Sequence, residues 1–184
     1  MKQRFSIIAP VVLIILALDQ WTKHLVVRNF SLGGRQVIVE GFVDLVHVRN
    51  KGAAFGLLSQ WDFLYRDYVF YLLSVVALVF LWFFLREFPS GRLVPALSAG
   101  LILGGAAGNI LDRIRLGSVV DFVSVHWRDE VLRFDLFGEP VEIALTWPAF
   151  NVADSAITVG VFCLLFLTVC RRPCSHSSSI TAQS

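Results

Sequence analysis

Apolar and polar positions along this chain separate into long apolar runs and two mixed segments. The first run starts near Phe5 and needs about 20 residues to cross a bilayer, which carries it past Asp19 to about Val26. Tyr68 to Leu85 carries no charge, Leu93 to Leu111 follows, and a last apolar run ends at Cys170. The pattern predicts four transmembrane helices at about 5–26, 68–85, 93–111 and 148–170, with Pro148 suited to the first turn of the last. The segments 28–67 and 112–147 are mixed. Period-two alternation at Val37–Val39 and from Phe42 to Val48 predicts short strands. Leu132, Phe134 and Leu136 alternate with Arg133 and Asp135, then Gly138, Glu139 and Pro140 precede Val141, Ile143 and Leu145, which predicts a β-hairpin. Arg49 to Gly56, RNKGAAFG, reads as a turn of small residues around Gly52, with Asn50 placed to cap or to bind. Gln60 to Asp67, with Trp61, Tyr65 and Arg66, has the amphipathic mixture of a membrane surface.

The expected fold is therefore an all-α integral membrane protein with four transmembrane helices plus small extracytoplasmic β elements. Residues 1–172 form one membrane-embedded unit, and 173–184 read as a disordered cytoplasmic tail. Composition supports this, because 56% of the 184 residues are hydrophobic and mean hydropathy is +0.69, far above a soluble domain. The amino terminus imitates a secretory signal, but Leu18, Asp19 and Gln20 offer no small-x-small cleavage site, so a retained first span is expected. A net charge of +2 with no basic block argues against nucleic acid. Cys163, Cys170 and Cys174 have no ligand spacing and read as structural thiols. Basic residues are densest at the short ends of the spans, namely Lys2, Arg4, Arg86, Arg92, Arg171 and Arg172. That density puts both termini in the cytoplasm and the mixed segments outside.

Polar residues within apolar surroundings carry the chemistry. Ala96, Gly100, Gly104 and Gly108 recur every four residues and read as a helix-packing seam. Asp112 and Asp121 follow the third run and Asp154 lies near the start of the fourth, so two helix ends are expected to bring two carboxylates together. A carboxylate inside a bilayer is costly, which makes each a functional candidate. Asp19 and Lys23 share a helix face, as an interior ion pair or as an interfacial helix end in water. HExxH, GxSxG and Walker patterns are lacking, and His24, His47, His126 and His176 show no ligand spacing, so neither a metal site nor a cofactor is expected. Two aspartates in one site retain a proton between them. One can then act as base toward water while the other polarises a carbonyl. A proton-coupled carrier and a purely structural pair remain alternatives at this level.

Five blocks resolve the choice by resemblance: LDQWTK at 18–23, RNKGAAF at 49–55, GNILDR at 108–113, GSVVDF at 117–122 and PAFNVADSAI at 148–157. In this order they resemble bacterial lipoprotein signal peptidase (signal peptidase II), a four-span aspartic protease of the inner membrane. The resemblance implies that Asp121 and Asp154 are the catalytic pair. It implies that Asn50, Gly52, Asn109, Arg113 and Asn151 shape the pocket, with Asp19, Gln20 and Lys23 in support, and that Asp112 is structural and orients Arg113. It also implies the substrate, a diacylglyceryl-modified prolipoprotein cut before its lipidated cysteine, with membrane lipid as the other partner and a monomeric enzyme. The expected place is the bacterial inner membrane, with the site toward the periplasm. The family's pattern has a short link between the His126-Trp127 pair and the Trp147–Asn151 block, and here Arg128 to Thr146 is longer. The blocks lie outside that insertion.

Overall fold

The computed structural model describes residues 2–51, 72, 75–77, 79, 81–86, 92–136 and 139–170. Gly52, the Gln60–Asp67 stretch, most of the Tyr68–Leu85 run, Cys174 and the tail lie outside the described residues. Among the described residues three helices are long and apolar enough to cross a membrane: α1 (Lys2–Asn29), α2 (Leu93–Leu116) and α3 (Val152–Val169). Residues 81–86 are also helical.

The predicted small-residue stripe is the seam between α1 and α2. A Cβ on Gly100 would lie 2.6 Å from Val11 Cβ, one on Gly104 2.9 Å from Ile15 Cβ, and one on Gly108 would collide with the Asp19 carboxylate. Any side chain there forces the helices apart, and close contact is what holds helices together where the surrounding lipid is as apolar as they are. The pairs 11/100, 15/104 and 19/108 advance together, so α1 and α2 run parallel. α3 runs the other way, since Gly105 abuts the Ala153 carbonyl while Gly160 lies against Ile102 and the Ser98 carbonyl.

Two helix boundaries differ from the apolar runs. α2 continues past Leu111 to Leu116 and ends at Gly117, whose φ of 65° is the left-handed C-cap and whose N–H donates to Arg113 O at 3.0 Å. Asp112 is thus a helical residue. Arg113 and Arg115 in that last turn suit the negative end of the helix dipole. α3 does not start at Pro148, which lies in a strand, but after Asn151. The Asn151 side chain accepts from Asp154 N while Asp154 accepts from Asn151 N, a reciprocal capping box that sets the helix start.

The β elements form one antiparallel sheet in chain order, β1 (Arg35–Val39), β2 (Val43–Asn50), β3 (Val119–Leu136) and β4 (Glu139–Phe150). The hairpin pairs in the predicted phase, Leu132 opposite Ile143 and Phe134 opposite Val141. β3 begins well before the hairpin, however, and its first residues carry Asp121, so that aspartate sits on a strand and not at a helix end. The sheet's inner end packs on α1 through Val26, Val120 and Phe122, with Phe30 and Leu45 against them. Its buried polar centre is Asp44, which receives His126 Nε2 at 2.9 Å and Arg35 Nε at 2.6 Å.

Candidate active site

Strand register places Asp121 between the ends of its two neighbours. On one side Val48 opposes Asp121 and Asn50 ends β2. On the other, Val123 opposes Phe150 and Asn151 follows directly. Asn50 Nδ2 donates to Asp121 Oδ2 at 2.9 Å and Asn151 Nδ2 to Asp121 Oδ1 at 2.7 Å. Asn151 is also the cap of α3, and Asp154 is the third residue of that helix. One asparagine therefore holds both carboxylates, Asp121 through its side-chain amide and Asp154 through the capping box. Asn109, from α2, completes the Asp154 side by donating Nδ2 to Oδ1 at 2.8 Å. Asp121 is 2% exposed and Asn151 1%, whereas Asp154 is only partly buried.

A second cluster supports the first from below. Lys23 is buried and its ammonium has three acceptors: Asp19 Oδ2 at 2.8 Å, Asp112 Oδ2 at 2.9 Å and Asn109 Oδ1 at 3.0 Å. An ammonium has three N–H donors, so all are used. This contact also fixes the Asn109 amide: its oxygen must face Lys23, which leaves its nitrogen for Asp154. Gln20 Nε2 bridges Asp19 and Asp112 at 3.2 and 2.9 Å. Asp19 Oδ1 accepts from Ala153 N at 3.0 Å, tying α1 to the first turn of α3. Of the two readings of Asp19 and Lys23, the structure shows the interior ion pair.

Asp112 departs from its expected partner. Its carboxylate takes Lys23, Gln20 and the Val120 N–H at 3.2 Å, so it fastens α2 to α1 and to β3 and does not orient Arg113. Arg113 is half-buried, with a long 3.5 Å contact from Nη1 to Asn109 O. The Asn151–Asp154 capping box went unread in the sequence, although N-x-x-D before an apolar run is its signature. The Val120 carbonyl, an acceptor for Asn151 Nδ2 at 3.3 Å, carries no side-chain signal at all.

The electrostatics follow from the ligands. Burial raises the Asp121 carboxyl to about 6 against its ordinary 3.8. The amide donated by Asn50 opposes the rise, the neighbouring Asp154 charge adds to it, and Asn151 and Lys23 also oppose it. A buried carboxyl beside a second carboxylate thus holds its proton to a higher pH than an exposed aspartate does.

Helices apolar enough to span a bilayer, with two carboxylates on one asparagine, define a membrane protein with a paired-carboxylate site. The sequence profile of signal peptidase (SPase) II matches residues 11–170, so the chain belongs to the signal peptidase II family. Lipoprotein signal peptidases of Syntrophotalea carbinolica and Geobacter sulfurreducens are 43% and 41% identical over 162 and 161 residues, 88% of this chain and 90% of each of theirs. That of Nitratidesulfovibrio vulgaris is 37% identical over 172 residues, 92% of this chain and 93% of its own. Among solved structures, a bacterial membrane enzyme determined by the in meso method at 1.9 Å superposes with a TM-score of 0.67 at 26% identity, covering 90% of this chain and 93% of that one. The family is one of aspartic proteases that remove signal peptides from prolipoproteins, and this chain is a multi-pass membrane protease of that kind.

Proposed function

We propose that the chain cuts diacylglyceryl-modified prolipoproteins immediately before the lipidated cysteine, with Asp121 and Asp154 as its catalytic pair. The observation that carries this reading is Asn151, which bonds one carboxylate by its side chain and caps a helix with the other. In the proposed step Asp154, the more exposed carboxylate, takes a proton from the attacking water. Asp121 carries the retained proton and gives it to the oxygen of the scissile carbonyl, so that charge does not accumulate in a buried site. Asn50, Asn109 and Asn151 keep both groups oriented, and the family pattern assigns Arg113 and Gly52 to substrate binding. Asp19, Gln20 and Lys23, with Asp112, form the scaffold beneath.

Four spans and one unit over 1–172 fit this chemistry. α1 and α2 run parallel, which requires the chain to recross the bilayer between Asn29 and Leu93. The uncharged Tyr68–Leu85 run supplies the length, and Arg4 Nη1 donates to Leu85 O at 2.8 Å, which sets the end of that run beside the start of α1. Both termini then share the cytoplasmic side, and the sheet and dyad face the periplasm of the inner membrane. There a lipid-bearing cysteine can reach the carboxylates without leaving the bilayer, and a single copy suffices. The test is purified protein in detergent given a prolipoprotein with and without its diacylglyceryl group. Cleavage of the lipidated form alone is expected. Proton flux in proteoliposomes without cleavage would overturn the reading in favour of a carrier.

A further inference from the structure

A cavity of about 390 Å³ lies between the carboxy-terminal turns of α1 and α2, and neither Asp121 nor Asp154 lines it. α1 contributes Lys23, His24 and Val27, one helical stripe, α2 contributes Arg115 and Leu116, and β2 closes the space with Arg49. Val120 borders it from β3, and because neighbouring residues of a strand point to opposite faces, Asp121 looks the other way.

Among the described residues its charge is uncompensated. Lys23 is consumed by Asp19 and Asp112, which is the cavity's carboxylate. Among the described residues neither Arg49 nor Arg115 has an ion-pair partner. Among the described residues, two cations without an ion-pair partner and a histidine thus share a cavity large enough for a small headgroup. The rim carries exposed apolar side chains, Val27 at 40% and Leu116 at 48%. A soluble anion has no use for that rim, whereas the glycerol end of a lipid does.

We propose that this cavity is a headgroup site for an anionic glycerophospholipid. Its phosphodiester sits between Arg49 and Arg115 with His24 alongside, its glycerol lies against Val27 and Leu116, and its chains run back along α1 toward the bilayer. Arginine favours phosphate through its fixed fork of donors, and basic pockets between transmembrane helices suit anionic headgroups. The enzyme would then carry a bound lipid of the membrane beside, and not within, its catalytic cleft.

The experiment uses the full-length protein in detergent, with retained lipid counted by native mass spectrometry during titration with phosphatidylglycerol or with phosphatidylcholine of identical chains. Phosphatidylglycerol should bind about tenfold or more tightly than phosphatidylcholine. Arg49→Gln and Arg115→Gln should each weaken phosphatidylglycerol about fivefold, the effect of one basic residue near an anionic lipid, and leave phosphatidylcholine unchanged. Arg115→Lys should recover much of the loss, which a misfolded variant would not, and melting curves without lipid check that each variant folds. Equal binding of the two lipids, or variants that bind phosphatidylglycerol like the parent, overturns the proposal. Displacement by inorganic phosphate as readily as by lipid overturns it too, in favour of a soluble anion. Because binding is read directly, the result is independent of whether the protein cleaves a prolipoprotein.

Discussion

Two pairs of aspartates lie at the same end of the helices and are neutralised differently. Asp19 and Asp112 share Lys23, a full positive charge with its three donors satisfied. Asp121 and Asp154 share Asn151, which supplies hydrogen bonds and no charge. The first arrangement compensates charge on the spot and fastens α1, α2, β3 and α3 together through Asp19 to Ala153 N and Asp112 to Val120 N. The second aligns its carboxylates but leaves burial and the neighbouring charge to raise the Asp121 carboxyl to about 6. Residue type is the same in both. On the proposed assignment, what separates scaffold from chemistry is whether the shared partner is a cation or an amide.

The largest effect should come from breaking the amide-held pair. Asp121→Asn and Asp154→Asn are each expected to lower turnover by about a thousandfold or more, and the double variant should be scarcely worse than either, as for residues that act as a unit. Binding of the lipidated substrate should persist, since removal of one carboxylate also removes repulsion. Turnover and binding measured on the three variants beside Asp112→Asn decide the matter. Near-normal cleavage by either dyad variant would reassign the site.

Breaking the cation-held pair should cost stability instead. Lys23→Met leaves Asp19 and Asp112 buried without their charge partner, and loss of one member of a buried ion pair typically costs about 3–5 kcal/mol. Adding Asp112→Asn to Lys23→Met should return part of it. Denaturation in a fixed detergent tests this. A variant that melts like the parent yet is inactive would place Lys23 among the catalytic groups.

Much of this organisation was legible in the sequence, for physical reasons that can be named. The Gly100, Gly104, Gly108 seam was readable because a four-residue repeat of small side chains has one use in a helix pair, and the Leu132–Leu145 hairpin because alternation has a single phase. Asp19 and Lys23 were readable as a pair from their helical spacing, but the choice between an interior pair and an interfacial helix end stayed open, because burial depended on Asp112 and Asn109 arriving from α2. Hydropathy misplaced two boundaries. It ended the third span at the first charge, Asp112, although a charge with a buried partner does not end a helix. It started the last span at Pro148, although the Asn151–Asp154 cap outweighs a proline that serves equally well in a strand edge. The Asp44–His126 contact was invisible, since sheet register brings together residues with no pattern in common.

A smaller effect should come from Asn151, where cap and bridge can be separated. Asn151→Ala loses both and should destabilise α3 by about 1 kcal/mol, the usual worth of an N-cap. Asn151→Ser keeps a capping oxygen but has no amide to give Asp121. It should melt close to the parent and still turn over about tenfold or more slowly. Parental turnover in Asn151→Ser would show that the cap alone matters.

The finest test concerns the proton on Asp121. Its carboxyl sits at about 6 in the folded protein against 3.8 ordinarily, so the folded state binds that proton more tightly than the unfolded chain does. The sign follows. Its contribution to stability is complete below about 3.8 and is lost as pH rises through about 6. The melting temperature of the parent should therefore fall across that window by a component that Asp121→Asn lacks. If protonated Asp121 is the acid, kcat/KM should decline on the alkaline side of about 6, because that parameter reports the free enzyme. Asn50 then provides the directional control. Its Nδ2 donates to Asp121 Oδ2 and favours the charged form, so Asn50→Leu, which removes the donor and keeps the site dry, should move the alkaline limb to higher pH. The whole pH profile of kcat/KM on parent and variant reads this, whatever the change in maximal rate. A limb that moves to lower pH, or stays in place while the rate falls, would show that the proton governing the reaction is not the one on Asp121.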